Sequence, residues 1–169
     1  MPIFTLHTPD EARRGELFPM LADAGVLQAL LYESGEPGLE EWLEATSPKN
    51  CWCAEARIDD EVAALVWVNG FSGKAAFMHF AFLPVAKPHL TAVTRKLCAW
   101  AFSGGLSAII GVTPAVYRHV FPVLRLCGFI EQMRVPGGSF IARRNRHVDA
   151  VVNMLTQERF EQLEKEWNT

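Results

Sequence analysis

The sequence has no run of eighteen apolar residues, and its opening, MPIFTLHTPDEARR, has neither a basic n-region nor an apolar h-region. Membrane spanning and export are therefore not expected, and the expected compartment is the cytoplasm. It also has no CxxC pair and no Cys/His ligand spacing, which excludes a zinc site built on its four cysteines. Cys51 and Cys53 share one face of a predicted strand, and Cys98 and Cys127 fall among apolar residues of predicted helices, the pattern of buried free thiols. Internal repeats and low-complexity linkers are absent too. With 50% of its 169 residues hydrophobic, the chain reads as one domain, residues 1–169, with enough apolar material for a full core.

The net charge of −3 is unevenly spread. Residues 1–62 carry 13 acidic and 4 basic side chains, whereas residues 63–157 carry 2 acidic and 10 basic. Two readings follow: the central half faces an anion while the entry segment faces something else, or the two halves attract each other.

The order of elements comes from periodicity and punctuation. Residues 3–8 suit a short first strand, and Thr8 or Asp10 is placed to cap a helix from Glu11. Gly25 interrupts the apolar stripe, a second helical piece follows over 26–32, and Leu39–Ala45 forms a third with Trp42 and Leu43 inward. Residues 51–58 and 62–71 then read as two strands joined by Asp59-Asp60-Glu61, a hairpin without the usual Asn-Gly or Asp-Gly pair. Ser72-Gly73 leads into residues 74–83, apolar with almost no alternation, as for a central strand buried on both faces. Pro84 and Pro88 end it. Leu90, Val93, Leu97 and Trp100 recur at helical spacing, Gly104-Gly105 closes that helix, and residues 106–112 form the parallel partner strand. Thr113-Pro114 suggests the start of a helical turn and Pro122 a break near Phe121, with Gly128 as terminator. A strand over 129–135, a turn at Pro136-Gly137-Gly138, a last strand over 148–155 and an amphipathic helix from Thr156 complete the chain. The fold class is α/β (α+β): a mixed, mostly antiparallel sheet with one βαβ crossover and helices on both faces.

Three segments carry a family resemblance. The central strand ends in Phe82-Leu83-Pro84, similar to a "V-x-P" ending. Residues 117–129, YRHVFPVLRLCGF, have the layout of "N-x-x-A-x-x-L-Y-E-K-x-G-F", matching at Gly128 and Phe129, with Tyr117 at the Asn and Leu124 at the Tyr. LSAIIGVTPA and the Asp149 strand with its following helix complete the likeness. Together with the element order, they resemble the GNAT superfamily of acetyl-CoA-dependent N-acyltransferases, in the style of its ribosomal-protein-type and phage-encoded branches. The resemblance implies acetyl-CoA as co-substrate and direct transfer of the acetyl group to a primary amine of a protein or small molecule. It also implies that the family's Q/R-x-x-G-x-G/A loop, which wraps the CoA pyrophosphate with backbone amides, maps onto Lys87, Leu90 and Ala92, with leucine at the middle glycine. Lys87 and His89 would add side-chain charge and Thr91 a backbone amide. An amide around Phe80 to Phe82 would polarise the thioester carbonyl.

The family's thiolate-protonating tyrosine maps to Leu124, which cannot donate a proton, and Tyr117, one to two helical turns earlier, is the nearest replacement. For the base, His79 within the central strand, or Glu131 or Glu55 on neighbouring strands, are the candidates; His119 lies beside Tyr117 in sequence but would point differently on a helix. Arg143, Arg144, Arg146 and His147 form a basic cluster at a hairpin tip, solvated or in contact with the CoA 3′-phosphate or an acidic partner. That cluster lacks interleaved aromatics, so nucleic acid is not the expected partner. The acidic first half favours a cationic acceptor, and exposed edge strands suit a monomer or a homodimer. The contrasting expectation is a GNAT-fold binding or assembly protein, of phage type, that has lost efficient CoA binding.

Overall fold

A computed structural model describes residues 3–167. The chain runs β1 (Phe4–His7), α1 (Glu11–Asp23), α2 (Leu27–Leu30), α3 (Leu39–Ala45), β2 (Trp52–Ile58), β3 (Glu61–Ser72) and β4 (Ala75–Phe82). A 3-10 turn (Pro84–His89) leads into α4 (Leu90–Ser103), followed by β5 (Ala108–Pro114), α5 (Val120–Leu126) and β6 (Ile130–Ile141). A second 3-10 turn (Ala142–Arg144), β7 (Arg146–Thr156) and α6 (Gln157–Trp167) end it. The seven strands form one sheet in the order β1-β2-β3-β4-β5-β7-β6, and the β4–β5 pair is parallel while the others are antiparallel.

Local chemistry explains most of the boundaries. Asp10 caps α1, its Oδ1 accepting from the Arg13 amide at 2.7 Å. The β2–β3 hairpin closes on Asp59 and Asp60 at φ 49° and 67°, so two aspartates adopt the left-handed conformation that Asn-Gly usually supplies. Asp59 is held there by Ile3, just before β1: its amide donates to the Ile3 carbonyl and its carboxylate accepts from the Ile3 amide. At the end of α5, Gly128 has φ 93°, and a Cβ there would collide with the Leu163 side chain of α6.

The sheet separates two cores. Val66, Val68, Met78, Leu97, Ile109, Leu155 and Phe160 pack on the α4–α6 side, and Leu17, Leu21, Trp42, Leu65 and Trp67 on the α1–α3 side. The strand buried on both faces is β3, from Val62 to Val68, rather than β4 as its composition suggested. In β4 the alternation is real: Ala76 and Met78 are buried while Phe77 is exposed.

Three expectations built on proline are corrected. Thr113 and Pro114 do not start a helix; they finish β5, where Pro114 pairs with Ala150. Pro122 does not break a helix, because α5 begins only at Val120 and the proline sits in the first turn, where its amide would have no helical acceptor. Pro136-Gly137-Gly138 is not a turn but a bulge inside β6, with the register slipping between Val135 and Ser139. The last strand accordingly begins earlier, at Arg146.

Candidate functional site

The parallel pair that joins the two halves of the sheet is short. Ala75, Ala76 and Phe77 pair with Ala108, Ile109 and Ile110, and there the ladder stops. Beyond that point β4 still pairs with β3 as far as Phe82, and β5 still pairs with β7 as far as Pro114. The two strands thus diverge toward their C-terminal ends, and the edge of Met78 to Phe82 that faces β5 has no strand partner. Backbone donors and acceptors in such a wedge are available to a bound chain. Phe80 and Phe82, half-buried and stacked with ring centroids 5.8 Å apart, cover the α4 side of this segment.

The 3-10 turn carries the chain from the mouth of the wedge into α4. No side chain caps that helix: His89 stands at the cap position without a side-chain hydrogen bond. The positive end of the α4 dipole is therefore not occupied by a capping side chain, and an anion is favoured there. Lys87 and Ala92 are exposed. Leu90, at the position expected for glycine, turns inward and packs against the core, while its carbonyl accepts from the Thr94 hydroxyl. Thr91 is half-buried, its carbonyl receiving the Cys127 thiol. The His89 ring stands edge-on to Phe4 at 6.1 Å.

Tyr117 lies not on a helix but in the turn between β5 and α5; its amide donates to the Pro114 carbonyl, and its carbonyl accepts from Val120. Its ring meets Tyr32 edge to face at 6.3 Å. Both tyrosines line a cavity of about 440 Å³, together with Gly25, Gln28 and Ala29 from the α1–α2 region and Ile141, Arg143 and Arg144 from the β6–β7 hairpin. A backbone bond from the Ala142 amide to the Tyr32 carbonyl ties these two walls together. Among the described residues no carboxylate lines this cavity, so the acidic character of the first half of the chain does not extend to it.

His79 sits in the divergent part of β4 and faces the α1–α3 side. It stacks on Trp67 with centroids 5.1 Å apart, and its Nε2 lies 3.0 Å from the Asn69 Oδ1. Since that oxygen only accepts, Nε2 carries the proton and Nδ1 keeps its lone pair. Burial pushes the His79 pKa down to about 4, so the ring is neutral at physiological pH.

The sequence-based carboxylates are placed elsewhere. Glu131 is exposed on β6, the far edge strand, with β7 between it and β5, and it is engaged by Arg134 at 2.7 and 3.2 Å. It is not on a strand neighbouring the wedge. Glu55 is buried in β2 and accepts from Arg13 at 2.8 Å through both oxygens and from Arg57 at 2.7 Å. These side-chain bonds hold its carboxyl below the ordinary carboxylate range against the opposing effect of burial, and they engage both of its oxygens. His119 is exposed at the start of α5, and Leu124 is buried in the core. His147 bonds the Gly137 carbonyl and lies beside Phe140, away from Arg143 and Arg144 of the cavity wall.

All four cysteines are free and buried. Burial raises their thiols, Cys53 to about 12 and Cys127 to about 11, so they remain protonated and weakly nucleophilic. Among the described residues no group of three or more His, Cys, Asp or Glu side chains is arranged to hold a metal ion, and no helix is long and apolar enough to cross a membrane.

No family model matches the chain, and no curated protein matches it in sequence. Solved structures do match in shape. A spermidine N-acetyltransferase from Vibrio cholerae, solved with CoA and spermine, superposes with a TM-score of 0.78 at 12% identity, covering 93% of this chain and 97% of that one. A ribosomal-protein-S5-alanine acetyltransferase from Vibrio fischeri superposes with a TM-score of 0.71 at 10% identity, covering 95% and 98%. Their shared architecture is the mixed sheet described above, with helices on both faces, and on that ground the chain has the GNAT fold.

Proposed function

We propose that this protein is an N-acetyltransferase that moves an acetyl group from acetyl-CoA directly to a primary amine. The observation that carries the reading is the parting of β4 from β5 after Phe77, beside an uncapped helix start. The residues fit the co-substrate: Leu90 points into the core and leaves the α4 amides accessible, and exposed Lys87 supplies a charge for phosphate. Lys87, His89 and the amides of Leu90, Thr91 and Ala92 hold the pyrophosphate, and the open edge around Phe80 to Phe82 donates to the acyl carbonyl. Acetyl-CoA supplies the acyl carbon already activated as a thioester.

The residues of the chain then manage two protons. The amine must lose one before it attacks, and the leaving sulfur must gain one. The neutral His79 imidazole, with Nδ1 free, is the acceptor within the divergent segment of β4. The Tyr117 hydroxyl, in the turn that follows β5, is the donor to sulfur in place of the tyrosine lost at Leu124. Buried, protonated thiols are consistent with direct transfer rather than a covalent acyl-enzyme. The amine enters through the Tyr32–Tyr117 cavity, and its two arginines favour an acceptor that also carries an acidic group.

Leu124 and Leu90 favour a second reading, a GNAT-fold binding protein without catalysis. Titration calorimetry with acetyl-CoA, followed by an acetylation assay over primary amines with and without a carboxylate, separates the two. Micromolar binding with turnover supports the enzyme. Binding without turnover of any amine supports the binding protein, and no heat at high micromolar ligand rejects the acyl-CoA site.

A further inference from the structure

A second cavity, of about 250 Å³, lies at the β2 side of the sheet, across β3 from the wedge. Its β2 residues Trp52 and Cys53 pair with Val68 and Trp67 of β3, which in turn pair with Met78 and His79 of β4, so β3 lies between this cavity and the open edge of β4. The cavity is bounded by Thr8 and Pro9 before α1, Arg14 on α1, Thr46 and Pro48 after α3, and Cys51, Trp52 and Cys53 at the start of β2.

Arg14 is unusual among these. It is only 3% exposed, its Nε has no hydrogen-bond partner, and among the described residues no ion pair reaches it. The reason lies in its neighbours. Glu55, the buried carboxylate of this region, is engaged through both oxygens by Arg13 and Arg57. Arg14, one residue further along α1, therefore points elsewhere, its backbone fixed by the Trp42 indole donating to its carbonyl. A buried guanidinium without a counter-charge is costly, and an anion in contact with it relieves that cost.

The cavity offers room for one and supplies none of its own. Its thiols stay neutral because burial raises them, and its other walls are two threonines, two prolines and a tryptophan. One positive charge matches a singly charged carboxylate in bidentate contact, whereas a phosphate dianion would keep an unmatched charge among apolar walls. With about 30 Å³ per water-sized unit, the space suits a ligand of about eight non-hydrogen atoms.

We infer that this cavity is a binding site for a small organic carboxylate, held by Arg14 with its apolar body against Pro9, Pro48 and Trp52. The site is separate from the wedge and does not depend on the acetyltransferase reading.

Benzoate is a suitable probe, with benzyl alcohol and inorganic phosphate as controls. The readout is alkylation of each cysteine by N-ethylmaleimide, followed by peptide mass spectrometry. Cys51 and Cys53 line the cavity, while Cys98 and Cys127 are fully buried elsewhere and serve as internal standards. Benzoate at about ten times its Kd should slow modification of Cys51 about tenfold, leave Cys98 and Cys127 unchanged, and raise the melting temperature saturably. Benzyl alcohol and phosphate should do neither, and Arg14→Gln should abolish the protection. Unchanged Cys51 modification at millimolar benzoate overturns the proposal, as does equal protection by benzyl alcohol or by phosphate. Should Arg14→Gln fail to fold, the wild-type comparison of the three probes decides on its own.

Discussion

The two halves of β4 have similar composition and opposite surroundings. From Ala75 to Phe77 the strand has hydrogen-bonded neighbours on both sides; from Met78 to Phe82 it has β3 alone. The first half joins the sheet together, and the second is held in an extended conformation with one edge left open. A binding cleft thus arises from the loss of one ladder rather than from a loop, and the rigid β3 partner fixes its geometry.

Substitutions that attack the closed half should act on stability, and those in the open half on ligand binding. Ile109, fully buried and paired with Ala76, is the strongest test of the closed half: Ile109→Ala should cost about 2–5 kcal/mol in urea denaturation. His79 tests the open half through pH. Its pKa of about 4 lies below the ordinary histidine value of 6.5, so the unfolded chain binds a proton that the folded chain refuses. Stability should therefore fall as pH drops from 6.5 toward 4, by up to about 3 kcal/mol, and His79→Gln should flatten that interval relative to wild type.

Tyr117→Phe keeps the ring against Tyr32 and removes only the hydroxyl. Acetyl transfer should drop about 100-fold with acetyl-CoA affinity unchanged, as measured by kcat and calorimetry. Ala92→Asp is the subtlest case, because its two effects have opposite signs. A carboxylate in the first turn of α4 should raise stability by about 0.5 kcal/mol, yet weaken acetyl-CoA several-fold by repelling the pyrophosphate. Unchanged acetyl-CoA affinity would mean that the helix start is not an anion site.

The sequence revealed those features whose causes are local. The bounds of α3, the Asp59-Asp60 hairpin, the crossover between Pro84 and Gly104 and the Gly128 terminator each rest on neighbouring residues. Proline misled where its tolerated positions matter: at the end of β5, in the first turn of α5 and inside the β6 bulge, it marks geometry that propensity alone does not distinguish. The candidate site was legible in part. The Lys87–Ala92 loop and Tyr117 are singled out by the family resemblance, but Tyr32, Gln28 and the hairpin arginines meet Tyr117 only through tertiary packing. Glu131 and Glu55 were drawn to the site by residue type, whereas strand order and arginine pairing remove them from it. Leucine at position 90 reads as an obstruction in sequence; in the fold it belongs to the core.

Backbone amide exchange along β4, with and without acetyl-CoA, tests the central claim most directly. Amides within Met78–Phe82 and at the start of α4 should gain protection on binding, while those of Ala75–Phe77 stay as they are. Protection spread evenly along β4, or confined to residues outside the wedge, would contradict the assignment of the open half as the acyl-CoA site.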